Sequence, residues 1–205
     1  MKTIIKYELV INEALRSALN YDTPDEQINE FIRFFGKHIG SDRIYIFEDC
    51  DEKHVTKNTY EWCADGIVPE IHELQNVDMD IIGWWYQAFD KDRNVIITDI
   101  EQIKDERRES YNLLKAQNVK NLVVCPIRYK DEIKGFFGVD NPPESDTLGL
   151  TTFLDMIGTL LISLLKLRNS FTKSNKEAML SSYSSLSSIY ISMALVNVQT
   201  HRYHI

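Results

Sequence analysis

Cysteine is scarce in this chain of 205 residues. Cys50, Cys63 and Cys125 are too few and too scattered for a disulfide framework, so reduced thiols in a cytoplasmic protein are expected. No stretch reaches the roughly 20 consecutive apolar residues that a membrane span needs. The N-terminal MKTIIKYELVINEAL carries Lys2, Lys6, Glu8 and Glu13 where a signal peptide would have an unbroken apolar core. Membrane insertion is therefore not expected. Positive charge is also in deficit, with 23 Lys and Arg against 31 Asp and Glu for a net charge of -8. That balance argues against nucleic acid as a partner and against docking on an anionic membrane. There is no internal repeat and no phosphate-binding Gly-x-x-x-x-Gly-Lys-Ser/Thr.

Hydrophobic residues make up 43% and charged residues 26% of the chain, the balance of a folded globular protein. The length suits one domain with some additional helix. The organising stretch is residues 119–142, VKNLVVCPIRYKDEIKGFFGVDNP. Two runs rich in β-branched and aromatic residues, 122–127 and 133–139, flank the polar link Arg128-Tyr129-Lys130-Asp131-Glu132 and predict a hairpin. Gly135 and Gly138, inside the second run, predict a bulge or a close approach of backbone.

Around the hairpin, apolar spacing predicts a helix over 4–19. Thr23-Pro24-Asp25-Glu26 predicts the start of another, with Thr23 as cap, Pro24 first in the helix and Glu26 closing a capping box. That helix runs to about His38, buries Ile28, Phe31, Ile32 and Phe35, and is bracketed at its end by Gly36 and Gly40. Alternation predicts strands over 42–48 and 55–63, the second with one wet face. Residues 64–78 look irregular. A short aromatic helix over 80–89, a strand over 94–98 and a helix over 100–117 follow.

From 148 to about 171 the pattern is one long apolar helix. Phe153, Ile157, Leu160, Leu164, Leu167 and Phe171 alternate four and three apart as a heptad seam, with Leu154, Leu161 and Leu165 as a second line. One line suits the sheet and the other a partner helix, so a homodimer through helices 4–19 and 148–171 is expected. A fully buried helix of a monomer is the plainer alternative. Residues 1–170 form the expected domain. Residues 171–205, with the serine-rich SSYSSLSS, are expected to be a linker and the cut start of a downstream segment, or a frayed helical tail.

The element order implies an α+β fold, one central antiparallel sheet with flanking helices and a long C-terminal helix. At the hairpin the chain resembles a GAF domain, the sensor module of bacterial signalling proteins. The residues that carry the resemblance are Cys125-Pro126-Ile127, the turn Lys130-Asp131-Glu132, and Gly135-Phe136-Phe137-Gly138-Val139. It extends roughly from Pro24 to Arg168. The Asn-Lys-Phe-Asp-Glu signature of cyclic-nucleotide members is missing, since the single Asn-Lys pair, Asn175-Lys176, continues with Glu177-Ala178. No cysteine is placed for bilin attachment. The resemblance implies a small-molecule-binding regulatory domain without a cofactor. Its output domain lies outside this chain and is of a kind such as cyclic-dinucleotide turnover or a histidine kinase.

It also implies a ligand cavity between the sheet and the segment before the hairpin. Trp62, Trp85, Tyr111 and Cys125 are the expected lining residues, weighed against an ordinary aromatic core. Trp84, Tyr86 and Phe89 are secondary candidates. A redox enzyme of the free methionine sulfoxide reductase type, using Cys63 or Cys125, is one alternative. A dimerisation scaffold without a ligand is another. His201-x-x-His204 is a weak metal pair with no third ligand in sight. Asp140-Asn141-Pro142-Pro143 is expected to be a turn.

Overall fold

The computed structural model describes the backbone of residues 2–143 and 147–201. Side chains are described from residue 7 to 181, apart from 51, 144–149, 151, 152 and 155. The chain divides into two units, Met1–Leu165 and Lys166–Ile205.

The first unit is built on one antiparallel sheet of six strands. They are β1 (Arg43–Cys50), β2 (Val55–Cys63), β3 (Val77–Asp78), β4 (Val95–Ile97), β5 (Leu122–Tyr129) and β6 (Glu132–Asp140), in spatial order β3-β2-β1-β6-β5-β4. Its helices are α1 (Lys2–Ala18), α2 (Pro24–Ile39), α3 (Gly83–Phe89), α4 (Arg108–Ala116) and the first part of α5 (Thr147–His201). The described part of the second unit is the remainder of α5, where Leu167, Phe171, Met179 and Leu180 are exposed.

Strand alternation gives the sheet two apolar faces. On one face Ile44, Ile46, Val123, Cys125, Phe137 and Val139 pack with α1, α2 and α5. α1 contributes Tyr7, Ile11, Ala14 and Ala18, and α5 contributes Leu150, Leu154, Ile157, Leu161 and Leu165, each set at helical spacing. On the other face Tyr45, Phe47, Leu122, Val124 and Phe136 pack with α3 and α4.

The N-terminus of α2 forms as its sequence dictates. Thr23 caps, its hydroxyl accepting from the Glu26 N–H at 3.3 Å, while the Glu26 carboxylate accepts from the Thr23 N–H at 3.1 Å. Gly40 ends the helix in the left-handed conformation. Gly36 does not bracket the end. It lies inside the helix, where a methyl group would collide with the Trp62 ring.

Both hairpin glycines meet their predicted constraint. Gly135 has φ +143, and a Cβ there would strike the Phe47 carbonyl; one at Gly138 would strike the Tyr45 ring. The link between β5 and β6 is two residues, not five. Lys130 takes φ +56, so Arg128, Tyr129 and Glu132 join the ladder. Other expectations shift in detail. The helix expected over 100–117 is a 3-10 turn, Ile100–Ile103, followed by α4 from Arg108. The irregular 64–78 stretch ends in β3, which pairs Val77 with Thr56. The long helix continues past 171 to His201.

A site on the second face of the sheet

Three strands aim polar side chains into the α3–α4 side of the sheet. On β1 the residues of one parity are Arg43, Tyr45 and Phe47. On β6 they are Phe136, Gly138 and Asp140. On β2, Asn58 and Glu61 are an odd number apart and should point to opposite faces. The register shift opposite Ile46 and Phe47 makes Thr59 an extra residue and brings both to the same side. The Asn58 amide then donates to Glu61 Oε1 at 3.1 Å.

These side chains line a partly open cavity of about 40 Å³ with Leu74, Val77, Ile82, Trp85, Leu113, Leu114 and Gln117. One end is aromatic. The Phe47 and Phe136 rings stack at 4.8 Å, and Trp85 meets Phe136 edge-on at 5.4 Å. The other end holds buried charge. Arg43 is 2% exposed; its Nη1 donates to Asp140 Oδ2 at 3.1 Å and its Nη2 to the Val68 carbonyl at 2.8 Å. Its Nε stands 3.4 Å from Glu61 Oε1. Glu61 Oε2 accepts the backbone N–H of Glu70 at 2.8 Å and of Ile71 at 3.1 Å. Burying a charge is costly unless it is paired and hydrogen-bonded, and this network supplies partners for all three charges.

Burial works to lower the Arg43 pKa, but Asp140 and Glu61 hold it above its ordinary value. Burial pushes Asp140 up to about 7, against the opposing pull of Arg43 and Tyr45. Tyr45 is raised by burial and by the Asp140 charge beside it. Cys63 is pushed up to about 11 by burial and the Glu61 charge, although Arg43 opposes the shift.

Pairing is incomplete at the cavity. Asn58 Oδ1, Trp85 Nε1, Asp140 Oδ1 and Arg43 Nε are buried without a hydrogen-bond partner among the described residues. All four belong to lining residues. Native proteins leave few such groups, and each calls for an explanation. Wider hollows of about 280, 340 and 450 Å³ lie near Arg128, Ala88 and Arg107, and none is lined by a buried atom of this kind.

The structure brings one of the four expected site residues, Trp85, to this cavity. Tyr111 belongs to the same apolar cluster, but its hydroxyl donates to Glu101 Oε1 at 3.0 Å and it does not line the space. Trp62 packs on the opposite face, over Gly36 of α2. Cys125 is fully buried on that opposite face as well, because its strand parity is that of Val123 and Ile127. Among the secondary candidates, Trp84 donates to Ser110 Oγ at 2.9 Å and Tyr86 to Asp49 Oδ1 at 2.6 Å, and these bonds tie α3 down.

Sequence reasoning missed Arg43, Asn58, Glu61 and Asp140. Asp140 is not a turn residue. It ends β6 at 2% exposure, and the turn is made by Asn141 at φ +50, whose Oδ1 accepts the Lys120 N–H at 2.7 Å. The available signal was parity, since Arg43 and Asp140 share the phase of apolar neighbours. The His201-x-x-His204 pair lies outside the described side chains. Elsewhere His54, Asp78 and Asp80 place ligand atoms within 4.8 Å of one another, all on exposed residues.

A single antiparallel sheet between two helical layers, with a small partly open cavity on one face, defines an α+β domain. The chain belongs to the GAF domain family, whose model matches residues 23–165. Among curated proteins it is similar to the methanogenesis regulatory histidine kinase FilI of Methanothrix harundinacea (strain 6Ac), at 26% identity over 128 residues. That match covers 60% of this chain and 14% of the relative's length. Among solved structures it is similar to the GAF domain of an Acinetobacter phosphoenolpyruvate-protein phosphotransferase. There the TM-score is 0.62 at 12% identity, over 82% of this chain and 97% of that one. It is also similar to the phycocyanobilin-bound GAF domain of a cyanobacterial phytochrome. There the TM-score is 0.60 at 17% identity, over 77% of this chain and 94% of that one. These structural likenesses establish the fold. No helix among the described residues is long and apolar enough to cross a membrane.

Proposed function

We propose that this chain is the sensory domain of a signal-transduction protein. It binds a small molecule in the cavity beneath α3 and α4 and passes the bound state through α5 to an output. The observation that carries the reading is a set of three buried polar atoms without a hydrogen-bond partner, Asn58 Oδ1, Trp85 Nε1 and Asp140 Oδ1, all on residues that line one cavity. A guest that pairs with them removes a desolvation cost of about 1–3 kcal/mol per group. Family membership and the likeness to a histidine kinase support a regulatory setting and favour a kinase-type output. Nothing comparable favours cyclic-dinucleotide turnover. Leu150, Leu154, Ile157, Leu161 and Leu165 of α5 pack on the sheet's other face, so a change in sheet curvature reaches that helix directly. The bias on α5 is limited to the guest's differential affinity for the two states. Homodimerisation through α1 and the 148–171 seam is the proposed assembly, carried on α5 by Leu160, Leu164, Leu167 and Phe171, because Phe153 and Ile157 of the seam are buried in the domain's own core. Among the described residues of α1, Tyr7, Ile11, Ala14 and Ala18 are already buried in its own domain.

The cavity is far too small, as shaped here, for an open-chain tetrapyrrole such as the phycocyanobilin of the phytochrome neighbour. The redox alternative needs a thiolate. Cys63 is pushed up to about 11 and Cys125 is fully buried, which disfavours nucleophilic chemistry at both.

A thermal-shift panel of amino acids, nucleotides, organic acids and amines tests the reading. A compound at about a hundredfold excess over its Kd raises the melting temperature by roughly 5–10 °C. The shift is absent in Leu114→Phe, which fills the cavity. A panel without any shift supports the scaffold instead.

A further inference from the structure

We infer that the cavity is built for a small protonated amine that also carries a neutral oxygen acceptor, an amino alcohol of a few heavy atoms. The inference rests on the sensory reading above and specifies its ligand. Size sets the first limit. An ordered water needs roughly 10–15 Å³ of such space, so about 40 Å³ admits only a compact guest.

Charge sets the second limit. The lining holds one guanidinium, Arg43, against two carboxylates, Glu61 and Asp140. Arg43 is already engaged by both, at 3.4 and 3.1 Å, and its Nη2 is taken by the Val68 carbonyl. No cationic group is left over for an anionic guest, and the net field of the ionised lining repels one. The remaining walls are Tyr45, Phe47, Trp85 and Phe136, and aromatic π-faces attract cations.

Hydrogen-bonding roles set the third limit. Two of the partnerless atoms, Asp140 Oδ1 and Asn58 Oδ1, are acceptors and require donors. An ammonium group supplies up to three. Trp85 Nε1 is a donor only and requires an acceptor, which the hydroxyl of an amino alcohol provides. Arg43 Nε already faces Glu61, so it demands nothing of the guest.

Asp140 must be ionised to hold the ammonium. The charged and titratable groups that face it are Arg43 and Tyr45 from β1 and Glu61 from β2. Burial raises its pKa to about 7, so amine affinity falls as the pH drops below neutrality while the amine itself stays protonated.

The test is a two-dimensional 15N NMR titration of the 205-residue chain, following the indole N–H of Trp85, assigned through Trp85→Phe. The probes are ethanolamine, ethylamine, acetamide and acetate at matched ionic strength. Ethanolamine is expected to shift the Trp85 signal saturably and more tightly than ethylamine. Asp140→Asn is expected to weaken both amines by more than about tenfold. Trp85→Phe, followed through the Phe136 and Asp140 amides, is expected to erase the preference for ethanolamine while still binding ethylamine. If acetate or acetamide saturates the site and the amines do not, the amine assignment is overturned and the sensory reading stands. If no probe perturbs the cavity signals, the amine assignment is overturned, and the thermal-shift panel decides the sensory reading separately. If the amines bind equally to wild type and Asp140→Asn, the assigned ion pair is wrong and the inference fails.

Discussion

Arg43 is the residue on which the site depends. Its guanidinium pairs with two buried carboxylates, so Arg43→Met leaves Asp140 and Glu61 facing each other without a counter-charge. Breaking a buried ion pair from one side costs about 3–5 kcal/mol, and an unfolding free energy lowered by that amount in urea denaturation is expected. Asp140 makes stability depend on pH with a defined sign. Its folded pKa is raised, from 3.8 to about 7, so the folded state keeps a proton that the unfolded state releases. The contribution is complete below the ordinary carboxylate value and is lost as the pH climbs toward 7. The urea midpoint of Asp140→Asn is therefore expected to vary less than that of wild type across this window. An unchanged pH profile in the variant would show that Asp140 ionises normally. At Gly138 the Tyr45 ring leaves no room for a methyl group. Gly138→Ala should cost about 1–3 kcal/mol by overpacking. It should also disturb the cavity, since Tyr45 is part of its wall.

At the level of elements, strand parity explains both what could be read from the sequence and what could not. The alternation of Arg-Ile-Tyr-Ile-Phe at 43–47 is visible in the letters, and so are the capping box at Thr23 and the two hairpin glycines. Each depends on residues adjacent in sequence. The Asn58–Glu61 pair was not legible, because it depends on the bulge at Thr59, and that bulge answers to pairing with β1 rather than to local sequence. β3 escaped notice because two residues bear no periodicity. Tryptophan misled for a related reason. Trp62 and Trp85 have the same side chain, but one stands on the α2 side because Gly36 makes space there, and the other points from α3 onto Phe136 of the opposite face. Aromatic identity alone does not tell which face of a sheet a ring occupies. At α2, Thr23→Ala removes the cap and should lower stability by about 1 kcal/mol. A larger loss would mean that Thr23 also supports the α1–α2 connection.

For the whole molecule, the proposed mechanism asks a cavity on one face of the sheet to influence a helix on the other. Six strands separate the two apolar clusters, and β1, β5 and β6 contribute side chains to both. The assembly is testable at a residue that takes no part in the core. Leu167 is 52% exposed, so Leu167→Asp should leave the melting temperature nearly unchanged and weaken self-association in sedimentation equilibrium if the 148–171 seam pairs two copies. An unaltered association constant would place any dimer contact elsewhere. The most direct measurement of the central claim is hydrogen–deuterium exchange with and without a compound that stabilises the chain in the thermal panel. The account predicts slower exchange in Gly83–Phe89 and in Glu132–Asp140, together with a change in the 150–165 part of α5. Stabilisation that leaves α3 and β6 unprotected would contradict it, because the guest would then sit somewhere other than this cavity.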